Sequence, residues 1–191
     1  IVPNITYFTA NNYQAHLDLY TPRNSAQPSP VLVYIHGGGW VGGSKESSTL
    51  RLLPYLQMGW SVINVEYRLA RNSLAPAAVE DCRCALRWII RNAEEYNFNP
   101  DKIVLTGHSA GGHLSLTTGI LPASAGLDRQ CPGNETLKVA AIINWYGITD
   151  VGDLLEGANM KNYAVAWMGS MKNRHDIAER VSPLTYVRPG L

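Results

Sequence analysis

The chain has 191 residues, of which 16% are charged, and a formal net charge of +1. That length is one domain, enough to bury about 70% of the surface an unfolded chain exposes. The near-neutral charge gives no reason to expect nucleic acid or an anionic membrane surface as partner, and no apolar run approaches the roughly 18 residues that span a bilayer.

In chain order, residues 4–10 and 15–20 alternate polar and apolar around Asn11-Asn12, which predicts an antiparallel hairpin. Three prolines in 21–30 predict a surface loop. Short β-branched or aliphatic runs follow at 31–35, 62–65, 103–105 and 139–144. Helical patterns at 48–58, 76–96 and 111–121 separate them, with Pro54 expected as a kink and Gly59 as a stop. Val79, Cys82, Leu86, Ile89 and Ile90 form the apolar stripe of the long helix, with Arg83 and Trp88 off it. Strands alternating with helices predict a mostly parallel sheet covered on both faces.

Two motifs sit directly after strands. Gly107-His108-Ser109-Ala110-Gly111 follows Ile103-Val104-Leu105 and opens a helix, the context of a nucleophile elbow that lifts a serine hydroxyl out of the sheet. Upstream, His36-Gly37-Gly38-Gly39-Trp40 follows Val31–Ile35. Consecutive glycines leave backbone N–H groups uncovered, free to meet the oxyanion of an acyl-transfer intermediate. A phosphate-binding Gly-x-x-x-x-Gly-Lys-Ser/Thr loop is absent, since Gly42-Gly43-Ser44-Lys45 has the wrong order. Both motifs fall at the carboxyl edge of the sheet, where open α/β folds bind ligands. Residues 139–145 are expected to end at the same edge, where Trp40 and Tyr146 are candidates for the pocket wall, with plain packing as the alternative.

His36–Trp40, Val65–Leu69, Asp81–Trp88 and Gly107–Leu114 together resemble the α/β-hydrolases of the hormone-sensitive-lipase type, and bacterial feruloyl and acetylxylan esterases most of all. The resemblance implies an α/β-hydrolase fold over the whole chain. It implies Ser109 as nucleophile and the N–H groups of Gly38, Gly39 and Ala110 as oxyanion hole. Tyr67 and Arg68 are then structural, His36 anchors the glycine loop, and His108 is a pocket wall rather than a base. The implied substrate is a small-molecule or polysaccharide ester, a short-chain acyl or a feruloyl or acetyl ester of the plant cell wall. No metal or organic cofactor is implied. A peptidase or amidase on the same fold, or an inactive module used for binding, are the alternatives.

In this fold an acid and then a histidine follow the serine. Only His113 and His175 follow Ser109, the first on the elbow's own helix and the second in a polar run. Asp150, ahead of Val151, suits a turn or cap better than catalysis. The strand that carries the catalytic acid in the family is expected beyond Leu191, so residues 1–191 are expected to be a C-terminally incomplete domain, with a missing segment or a second chain supplying Asp and His. Three cysteines predict no disulfide framework: Cys82 and Cys84 point apart on a helix, one in the core and one incidental, and Cys131 lies in a loop. An odd count favours free thiols, while the sequons Asn4-Ile5-Thr6 and Asn134-Glu135-Thr136 pull towards secretion, so the compartment stays open.

Overall fold

The computed structural model describes residues 1–22 and 26–190, so the middle of the expected 21–30 loop lies outside the described residues. Its centre is a six-stranded sheet in the order β1-β2-β4-β3-β5-β6. β1 (Val2–Ala10) and β2 (Tyr13–Tyr20) form the expected hairpin. Asn11 and Asn12 turn it with φ of 49° and 62°, the left-handed pair that matches strand twist in a two-residue turn. β3 (Ser29–Ile35), β4 (Ser61–Val65), β5 (Phe98–His108) and β6 (Ala141–Trp145) are mutually parallel, and β2 joins them antiparallel to β4. The chain therefore has the α/β-hydrolase arrangement, with an antiparallel hairpin at one edge.

Side-chain alternation sorts the sheet into two layers. Val31, Val33, Ile35, Ile63, Val65, Ile103 and Leu105 face the larger core, under α2 (Ala77–Arg91) and α3 (Ala110–Ile120). Leu32, Tyr34, Val62 and Val104 face the smaller one, under a 3₁₀ turn, Lys45–Leu52, that runs into α1 (Leu53–Gln57). Pro54 lies in the first turn of α1, where its missing N–H costs nothing, so the expected kink is instead a helix start. Gly59, at φ +79°, ends the element. β5 is longer than its apolar run, because Phe98 pairs with Ser29 ahead of an irregular 99–102 stretch and the regular register with β3 resumes at Ile103.

The cysteine expectation is corrected. Cys84 and Cys131 are joined in a disulfide across 47 residues, and Cys82 is the free, buried thiol. Cys82 and Cys84 do point apart, and that divergence turns Cys84 towards the 121–138 segment. In the chain-entropy account, closing a loop of this length contributes about 4 kcal/mol. Arg83, off the apolar stripe, is buried too. Its Nη1 donates to the Leu121 and Thr118 carbonyls at 3.0 and 3.3 Å, ending α3, and its Nη2 meets Asp128 at 3.2 Å. The same Asp128 oxygen takes Nη2 of Arg87 at 2.8 Å.

Beyond β6 come two short helices, α4 (Asn162–Met168) and α5 (Arg174–Val181). Among the described residues β6 pairs with β5 alone, and Ile143 and Trp145 are exposed on it. Among the described residues no helix is long and apolar enough to cross a membrane.

Candidate active site

The end of β5 and the start of α3 meet at Ser109, which holds φ 54° and ψ −123°. A non-glycine residue there carries about 1–3 kcal/mol of strain and persists only where its surroundings fix it. They do. Gly107 and Gly111 face backbone with no room for a Cβ: one at Gly111 would meet the Ile35 carbonyl at 2.1 Å. The Ser109 N–H donates to the Trp145 carbonyl at 3.0 Å, and the Ser109 carbonyl accepts from His113 N–H at 3.0 Å. The Ser109 hydroxyl has no hydrogen-bond partner among the described residues.

The glycine loop lies alongside. The Gly38 carbonyl accepts from the N–H groups of Val41 and Gly42 at 3.2 and 3.0 Å, which folds the loop back on itself. Gly38 and Gly39 have φ of 119° and 61°. Neither N–H has an acceptor among the described residues. Ala110 opens α3, and the first N–H groups of a helix have no acceptor within it. His36 braces the loop through Nδ1 and the Gly37 carbonyl, 2.8 Å apart, with its ring stacked on Tyr67 at 4.3 Å. Tyr67 Oη donates to the His36 carbonyl at 2.9 Å. Arg68 pairs with the buried Asp81 at 2.7 Å.

Trp40 is not a pocket wall. It is fully buried, stacked on Trp167 at 4.2 Å, with its indole N–H donating to His113 Nδ1 at 3.2 Å. The left-handed φ of 61° at Trp40 turns the ring inward, a reversal that the motif's letters do not carry. His108 and Tyr146 do border a cavity, about 440 Å³ in volume, with Tyr34, Tyr55, Arg51 and Trp145. The sequence signal for Tyr34 and Trp145 is register: they and His108 share one face of the sheet. His108 Nδ1 lies 3.0 Å from Tyr34 Oη. Burial first, then the positive fields of Arg51 and His36, hold its imidazole below the usual histidine range. Tyr163, which the sequence gave no reason to single out, packs its ring on Gly39: a Cβ there would meet its Cγ at 2.9 Å.

The remaining candidates make no side-chain hydrogen bond to Ser109 among the described residues. His113 is buried, its Nε2 2.8 Å from the Val181 carbonyl. Burial lowers its pKa to about 4, outweighing the upward pull of that bond. His175 is exposed on α5. Asp150 accepts the Asp153 N–H at 3.3 Å and shares a surface depression with His175. Among the described residues, no group of three or more His, Cys, Asp or Glu is arranged to hold a metal ion.

A measurable consequence attaches to His113. Its folded pKa lies below the unfolded value, so between about pH 6.5 and 4 the unfolded chain binds a proton that the native chain refuses. Stability therefore falls as pH drops through that window, by up to about 3 kcal/mol from this group. Chemical denaturation of His113→Gln and the parent at pH 7.5 and 4.5 checks it. The variant is expected to show the shallower loss, and equal slopes would refute the assignment.

Sheet order, strained serine elbow and glycine loop together define an α/β-hydrolase. More particularly, the chain belongs to the BD-FAE family, whose model matches residues 17–190. It is similar to the probable carboxylic ester hydrolase LipM of Mycobacterium tuberculosis, 34% identical over 140 residues, 71% of this chain and 32% of that protein. It is similar to an acetyl esterase of Salmonella schwarzengrund, 30% identical over 164 residues, 85% of this chain and 47% of the relative. Among solved structures it resembles the native form of a thermophilic esterase, Est2, from Thermogutta terrifontis. The TM-score is 0.78 at 26% identity, over 98% of this chain and 66% of that one. The chain spans about a third to a half of the length of these curated relatives.

Proposed function

We propose that the protein is a serine carboxylesterase. The observation that carries this reading is one constellation: a strained serine whose hydroxyl has no partner, beside glycine N–H groups that have no acceptor, among the described residues. In the proposed reaction Ser109 Oγ attacks the ester carbonyl and passes its proton to a general base. The oxyanion takes hydrogen bonds from the N–H groups of Gly38, Gly39 and Ala110. The C–O bond to the alcohol breaks, the alcohol leaves with a proton, and water releases the acid from the acyl-serine.

On this reading none of His36, His108 and His113 is the general base. His113 is locked between Trp40 and the Val181 carbonyl, and its low pKa keeps it neutral but leaves it no access to Ser109. His36 is committed to its own loop, and His108 to Tyr34. The aromatic cavity borders His108 without being lined by Ser109 itself, and short acyl or aryl esters, with feruloyl and acetyl esters of plant polysaccharides as the finer proposal, rest on the family match. The Cys84–Cys131 bond supports an oxidising compartment.

The test is labelling by a fluorophosphonate followed by peptide mapping, with hydrolysis of methyl ferulate, acetylated xylan and p-nitrophenyl acetate measured in parallel. The label is expected on Ser109. A label on another serine ends the assignment, and hydrolysis confined to long-chain triglycerides rules out the finer substrates.

A further inference from the structure

We infer that Asn144 is a positioning residue for Ser109, acting through the turn that ends β6. The inference rests on the esterase reading above. Ser109 is held off its preferred backbone geometry, so something outside the elbow must fix it. On the N–H side that partner is the Trp145 carbonyl, at 3.0 Å. β6 pairs with β5 as far as His108 and Trp145, and this bond carries the ladder one residue further, into the elbow.

The carbonyl that does this sits in a turn under tension of its own. Tyr146, the next residue, is also left-handed, at φ 43°. Asn144 closes the turn: its Oδ1 accepts the Gly147 N–H at 2.8 Å. A side-chain amide that spans to the backbone in this way replaces a main-chain bond and fixes the turn's shape. The same oxygen is also seated against α3. A Cβ on Gly112 would meet Asn144 Oδ1 at 2.4 Å and Gly147 Cα at 2.9 Å, and a Cβ on Gly147 would meet the Gly112 carbonyl carbon at 2.5 Å. Asn144 therefore keys the turn to the first residues of the nucleophile's helix and sets where the Trp145 carbonyl points. Asn144 makes no contact with substrate in this scheme; it acts on Ser109 through the backbone.

Loss of that key lets the elbow relax, which misplaces Oγ. A misplacement of about 1 Å costs about a hundredfold in rate. Asn144→Ala is expected to lower kcat about tenfold to a hundredfold with KM nearly unchanged, because orientation in the transition state is lost rather than ground-state binding. Asn144→Asp keeps an acceptor oxygen at the same reach and is expected to restore most of the rate. Gly112→Ala approaches from the other side. Its Cβ crowds the Asn144 oxygen and the Gly147 backbone, so it is expected to lower both kcat and Tm. Amide hydrogen exchange supplies a readout without substrate: the Ser109 N–H is expected to exchange faster in Asn144→Ala than in the parent, with α3 beyond its first turn unchanged.

Full kcat in Asn144→Ala, or Ser109 exchange unchanged in both Asn144→Ala and Gly112→Ala, overturns the inference. A fall in rate that Asn144→Asp does not repair also overturns it. Ser109→Ala is run alongside. If that variant keeps its activity, the esterase reading at Ser109 falls first. If it is dead while Asn144→Ala is fully active, only the positioning role falls.

Discussion

In protein that carries its general base, Ser109→Ala will lower kcat/KM for p-nitrophenyl acetate by about 10⁶-fold, the scale seen when a hydrolase loses its nucleophile. The fold will survive. The serine hydroxyl has no hydrogen-bond partner among the described residues, so alanine removes nothing from the native network. Alanine also meets the same φ of 54°, so the strain stays. Ser109→Gly separates the two effects. It is equally inactive but tolerates a positive φ without a Cβ penalty, and is expected to gain about 1 kcal/mol in stability. Activity that survives in Ser109→Ala would remove the nucleophile from the proposal. A parent protein that is inactive on every ester, fully folded and unlabelled by fluorophosphonate, would favour the binding-module alternative.

The parts of this site that were legible in the sequence are those encoded by local sterics. Gly107-x-Ser109-x-Gly111 after an apolar run announces a turn too tight for side chains, and the Ile35 and His36 carbonyls occupy the space that a Cβ on Gly111 would need. The parallel strands were legible because each is a short aliphatic run between helical patterns. What escaped depends on direction or on distant partners. Trp40 reads as a pocket aromatic until the left-handed backbone beneath it turns the ring onto Trp167. Cys84 reads as incidental until the 121–138 segment folds back across α2, a contact 47 residues away in sequence. Polar residues 99–102 hide the true start of β5, since they form an irregularity between the Phe98 and Ile103 pairs with β3. Asn144 reads as the polar end of a strand, and its bond to Gly147 has no sequence signature that separates it from many other asparagines.

The glycine loop should discriminate sharply between neighbouring positions. Gly38→Ala places a Cβ 2.1 Å from the Gly42 carbonyl oxygen, and that obstacle is backbone. The loop must open, and the Gly38 carbonyl then loses its bonds to Val41 and Gly42, which set the aim of both N–H donors. The proposed oxyanion forms only in the transition state, so kcat should fall about 10²–10³-fold with little change in KM. Gly39→Ala differs in kind. Its φ of 61° is accessible to alanine at a cost of about 1 kcal/mol, and the obstacle is the Tyr163 ring, at 2.9 Å. Removing that ring takes away the Cγ and Cδ2 contacts but keeps the residue-163 Cβ at 3.0 Å, so Tyr163→Ala should recover part of the kcat lost in Gly39→Ala and none of that lost in Gly38→Ala. Steady-state kinetics of the three single and two double variants measures the contrast, with Tm to confirm that each is folded. Equal rescue at both positions would mean that Tyr163 acts on the loop as a whole. An undiminished kcat in Gly38→Ala would mean that these glycines serve only the backbone turn and that the oxyanion is stabilised elsewhere.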